Sequence, residues 1–104
     1  MGALLADDLQ LARAVSEAVL TTSGVHSLGT GRYAEAATYG AGEKVTGVVV
    51  NPDEVRVHIV ARYPLAEPLP ILAERIREGV ASRVGGRTTT VVVEDLEIVQ
   101  DESL

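Results

Sequence analysis

Three runs decide the fold: Val55-Arg56-Val57-His58-Ile59-Val60-Ala61-Arg62, the connector Tyr63-Pro64-Leu65-Ala66-Glu67-Pro68 with the amphipathic segment after it, and Thr88-Thr89-Thr90-Val91-Val92-Val93-Glu94-Asp95-Leu96. The first run alternates with a period of two, so Val55, Val57, Ile59 and Ala61 share one face of a strand. Arg56, His58 and Arg62, with Val60 among them, share the other. Pro68 or Pro70 opens a helix, where the missing N–H costs nothing. Leu72, Ile76, Val80 and Val84 form its apolar stripe, with Leu69 and Ala73 beside them, and Gly85-Gly86 ends it. Gly79 inside that helix costs about 1 kcal/mol against alanine, which suggests close packing there. The valine- and threonine-rich run from Thr88 to Ile98 is a second strand.

Working outward, Lys44 to Val50 reads as a strand that reaches Val55 through the turn Asn51-Pro52-Asp53-Glu54. Strand, turn and strand make an antiparallel hairpin. Leu5, Leu9, Ala12, Val15 or Ser16, and Val19 recur at three- and four-residue steps, predicting an N-terminal amphipathic helix with Asp7 and Asp8 at its dipole end. Thr21-Thr22-Ser23-Gly24 stops it, and Val25 to Leu28 reads as a short strand. Arg32 to Glu43 reads as a loop with one weak helical turn at Ala34 to Ala37. The acidic tail from Gln100 to Leu104 is expected to fray. The expected architecture is an α+β two-layer sandwich in the order α-β-β-β-α-β. Two helices pack on one face of a mostly antiparallel sheet of three to four strands.

The chain has 104 residues, one domain's worth, spanning 1–104. Its core must be aliphatic, because there is no Phe or Trp and the only aromatics are Tyr33, Tyr39 and Tyr63. The formal net charge of −6 argues against nucleic acid as a partner, which would be held through Lys and Arg on phosphates. The absence of cysteine removes disulfides, thiolate catalysis and Cys-based zinc sites and fits a reducing cytoplasm. The N-terminus lacks the basic region of a signal peptide. The longest apolar runs are far shorter than the about 20 residues of a membrane span, so direct membrane insertion is not expected.

Few residues of the chain are arranged for chemistry. His26 and His58 have no neighbour at metal-ligand spacing, and a site would need carboxylates from elsewhere, such as Glu94 or Asp95. Ser16, Ser23, Ser27, Ser82 and Ser103 sit in no nucleophile elbow. Lys44, the sole lysine, reads as an edge-blunting residue. Adjacent carboxylates on a strand, Glu94 and Asp95, point to opposite faces and cannot converge. Gly29-Thr30-Gly31 and Tyr39-Gly40-Ala41-Gly42 could cradle a phosphate only if a helix N-terminus followed, and a loop or strand follows instead. No catalytic, metal or cofactor residue is assigned. What remains is a mixed patch: Arg56, His58, Val60 and Arg62 on the open sheet face, flanked by Tyr63, Tyr33 or Tyr39. Its residue types suit an interface.

Several segments together resemble the alkaline shock protein family of envelope stress response proteins of Gram-positive bacteria. They are Gly24-Val25-His26-Ser27-Leu28-Gly29 after an Ala/Val-rich helix, Gly47-Val48-Val49-Val50, Val55 to Tyr63, Ala73-Glu74-Arg75-Ile76-Arg77-Glu78-Gly79-Val80, and Val91-Val92-Val93-Glu94-Asp95-Leu96. The likeness runs roughly from Leu11 to Ile98. It implies a non-catalytic cytoplasmic protein that self-associates as a homo-oligomer and is held near the membrane by a membrane-anchored partner, without a cofactor. The alternative expectation is a small-ligand or RNA-binding regulator on a similar scaffold, with the Gly29–Gly42 loop as its site. An enzyme would require His58 or His26 to meet a carboxylate in a deep pocket.

Overall fold

A computed structural model describes residues 2–31, 36–40 and 42–99. The expected helical turn at Ala34 to Ala37 falls mostly outside these residues, as do Tyr33 and the acidic tail. The fold is α+β, as the sequence patterns require. Among the described residues the elements are α1 (Gly2–Leu20), β1 (Val25–Leu28), β2 (Ala37–Gly40), β3 (Glu43–Thr46), β4 (Val48–Val50), β5 (Glu54–Tyr63), α2 (Leu69–Val80) and β6 (Thr88–Ile98). A single 3₁₀ turn, Ala81–Arg83, extends α2.

β5 organises the molecule. One of its edges carries two short antiparallel strands end to end, β1 along Ile59–Ala61 and β4 along Val55–Val57. They meet at His58, whose carbonyl accepts from Gly29 N at 2.7 Å and whose N–H donates to Gly47 O at 2.8 Å. The other edge pairs with β6 in parallel along its whole length, from Glu54↔Thr88 to Tyr63↔Ile98. A parallel neighbour needs a crossover, and α2 is that crossover. The alternation foreseen for β5 is complete: Val55, Val57, Ile59 and Ala61 are fully buried. Above them lie Leu9, Ala12, Val15 and Val19 of α1 and Leu72, Ile76 and Val80 of α2, so both helices cover the same sheet face. Val15, not Ser16, carries the α1 stripe.

Helix α1 begins at Gly2, which places Asp7 and Asp8 beyond its first turn instead of at its dipole end. It stops as expected. The hydroxyls of Thr21 and Thr22 donate to Ala18 O, and Gly24 takes φ +101°. A side chain at Gly24 would press on Leu72 Cδ1 at 3.2 Å, so the stop also seats α2. In α2, Pro68 caps and Pro70 occupies the first turn. Gly79 is exposed with open space around its Cα, so it is not a packing glycine.

Between Thr30 and Val50 the chain departs from the expected loop and single strand. The strand read as Lys44 to Val50 is broken at Gly47, where φ is +90°. Its first half, β3, pairs with β2 in a separate two-stranded sheet, and its second half, β4, joins the main sheet. The expected loop therefore contains strand β2, from Ala37 to Gly40. Thr38 explains why this Ala/Gly-rich stretch is extended. Its buried hydroxyl donates to Val48 O at 2.6 Å and accepts from Val50 N at 3.3 Å, pinning the small sheet to the large one. Arg13 of α1 pairs with Glu43 across the same junction.

Candidate functional site

The sheet face away from the helices is built by the even-numbered positions of β5. Register sets Arg56 between Val49 and Thr90, His58 beside Val92, Val60 between Ser27 and Asp95, and Arg62 beside Glu97. Among the described residues no element covers this face. Four of the expected surface residues, Arg56, His58, Val60 and Arg62, thus share one face. Tyr63 does not. It follows Ala61 in the helix-side alternation and lies 45% exposed at the strand's end. Tyr39 projects from β2, 59% exposed.

The face has internal structure that the sequence reading did not foresee. β6 carries a bulge: Ile59 pairs Val93 while Val60 pairs Asp95, leaving Glu94 as the extra residue. Bulges re-aim side chains, and here the Glu94 carboxylate turns back across the sheet. Glu94 Oε2 accepts from His58 Nδ1 at 2.7 Å and from the Gly31 amide at 2.6 Å. Both side chains are shielded, at 13% and 21% exposure. Gly29 sits directly beneath, and a methyl group there would overlap the carboxylate. Sequence had named His58 and Glu94 separately. The signal that joins them is parallel pairing: with His58 beside Val92, the residue two further on faces the same way.

At the other end of β5, Glu54 accepts from the Thr90 hydroxyl at 2.6 Å and pairs with Arg56 at 3.4 Å. The Thr90 hydrogen bond holds the Glu54 carboxyl below its ordinary value of 4.5; Arg56 adds to the effect and partial burial opposes it.

Neither His58 nor Glu94 lines the cleft found among the described residues. The cleft of about 120 Å³ lies beyond the strand's end, between Ser23, Gly24, Arg62, Leu65, Leu72 and Arg75. Arg75 crosses its floor, donating from Nε to Glu67 at 2.6 Å and from Nη2 to Ser23 O at 2.6 Å. His26 is exposed, with the Ser27 hydroxyl 3.4 Å from its Nδ1. Among the described residues no group of three or more His, Asp or Glu side chains is placed to hold a metal ion. The glycine segment considered for a phosphate already gives its Gly29 amide to His58 O and its Gly31 amide to Glu94, and the next element among the described residues is strand β2. No helix among the described residues is long and apolar enough to cross a membrane.

Comparison with protein-family models, with curated proteins and with solved structures finds no match.

Proposed function

We propose that this chain is a non-catalytic interaction protein of the envelope stress response type, which self-associates or docks on a membrane-anchored protein at the cytoplasmic side. One observation carries the reading: β5 buries Val55, Val57, Ile59 and Ala61 completely on one side, while Arg56, Val60 and Arg62 stand on a side that no described element covers. The uncovered side mixes Val49, Val60 and Val92 with Arg56, Arg62, Asp95 and Glu97, the apolar-and-arginine composition of interfaces. The His58 imidazole on it is committed to a structural tie with Glu94. The resemblance noted for Leu11 to Ile98 supports the same reading.

Sedimentation of the purified chain across a wide concentration range, with a pull-down from solubilised membranes, tests this. Self-association, or capture of a membrane protein that Arg62→Glu weakens, supports it. A strict monomer that captures nothing overturns it.

A second reading, a small-ligand or RNA-binding regulator, draws on the cleft in which Arg62 and Arg75 lie together. Thermal shift against nucleotides and short RNAs separates the two: a rise in midpoint that Arg62→Glu abolishes favours this second reading.

A further inference from the structure

The longest strand among the described residues is also an edge. β6 pairs with β5 on one side and, among the described residues, with nothing on the other. Its first part, Thr88-Thr89-Thr90-Val91-Val92-Val93, has high β-propensity and none of the devices that blunt an edge: no proline, no lysine, no charge. The blunting devices all come afterwards, in the bulge at Glu94 and the acids Glu94, Asp95 and Glu97. An open, regular, uncharged edge is a template for strand addition.

We propose that two copies of this chain pair antiparallel through the Thr88–Val93 edge of β6, about a two-fold axis at Val91, to form one continuous sheet. This rests on the self-association reading above and names its geometry. The charge distribution selects the second copy and its direction. Parallel pairing would stack Glu94, Asp95 and Glu97 on their own counterparts. A two-fold at Val91 separates the two acidic ends and sets Thr89 opposite Val93, and Thr90 opposite Val92, of the second copy. A two-fold normal to the sheet keeps each face on its own side, so Thr90 meets Val92 across the junction on the open face. Both helix layers then lie on one side of the joined sheet. The open faces centred on Arg56 and Arg62 merge into one surface twice as wide.

The chain has no cysteine, so an introduced one is unique. Under mild oxidation, Val91→Cys should convert to a disulfide-linked dimer, because that residue faces its own counterpart. Thr88→Cys should stay monomeric on a non-reducing gel, since two copies of position 88 would be roughly 20 Å apart. Mixing Thr90→Cys with Val92→Cys should give the heterodimer in preference to either homodimer; this second readout does not depend on the partly buried Val91. Sedimentation of the unmodified chain runs alongside. Association without these cross-links, or with Thr88→Cys linking as readily, overturns the edge pairing and leaves self-association standing. A monomer at every concentration overturns both.

Discussion

His58 Nδ1 lies 2.7 Å from Glu94 Oε2, although the two residues stand 36 positions apart in the chain and Glu94 is the extra residue of a bulge. The same carboxylate oxygen takes the Gly31 amide at 2.6 Å. One side chain from β6 thus ties the middle of β5 to the segment leaving β1. That is the place where β1 ends and β4 begins along the edge of β5.

Removing the carboxylate leaves an imidazole N–H and a backbone amide without their acceptor in a shielded site. Glu94→Ala should therefore cost about 1–3 kcal/mol in a denaturant titration. Gly29→Ala should cost a similar amount by a different route, because its methyl group displaces the same carboxylate. The two share one interaction, so the double variant should be little worse than either single one. Additive losses would show that the tie contributes nothing.

Glu54 gives the pH prediction. Its folded-state pKa is lowered, so the stabilisation is present above the ordinary value of 4.5 and disappears as pH falls through the lower, folded-state value. The Thr90 hydroxyl is the largest cause. In Thr90→Val, an NMR titration of the Glu54 carboxyl should shift upward toward its ordinary value. The stability gap between variant and parent, open near neutrality, should narrow as the solution is acidified. An unchanged Glu54 titration in the variant would refute this assignment.

Two positions of α2 should respond in opposite directions. Ile76 is fully buried between the helices and the sheet, and Ile76→Ala should cost about 2–5 kcal/mol. Gly79 is exposed with nothing near its Cα, so Gly79→Ala should raise the denaturation midpoint by the equivalent of roughly 0.5–1 kcal/mol. A loss of stability at position 79 would mean that a contact covers that face.

Most of the frame was legible because it is written in periodicity. Alternation along Val55–Arg62 named the buried and open faces residue by residue, and the stripe Leu72, Ile76, Val80 named the α2 contact. The small sheet was not legible. Its strand β2 is composed of Ala37, Thr38, Tyr39 and Gly40, and one buried hydroxyl, Thr38, does what an apolar pattern does elsewhere. The Glu94 tie was hidden for a related reason. Alternation assigns Glu94 and Asp95 to opposite faces of an ideal strand but does not say which strand β6 pairs with; the parallel register beside β5 sets Glu94 on the face of His58, and the bulge brings Asp95, opposite Val60, to that same face.

Gly47 is where a continuous apolar run becomes two strands in two sheets, and its replacement separates two physical costs. Its φ of +90° strains any L side chain, and a Cβ there would sit 2.7 Å from Leu28 Cβ and 2.9 Å from the Gly29 carbonyl oxygen. Neither neighbour can retreat: Gly29 is bonded to β5, and Leu28 packs on the core. Gly42 also has positive φ, +73°, but open space around it. Gly42→Ala should thus show the conformational cost alone, about 1–2 kcal/mol. Gly47→Ala should add an overpacking cost of about 1–3 kcal/mol and weaken the Gly47–His58 hydrogen bond. Hydrogen exchange at the His58 amide reads the difference: it should accelerate in Gly47→Ala and stay near the parent's rate in Gly42→Ala. Equal effects at the two glycines would mean that φ alone, and not the approach of β1, dictates glycine at the break.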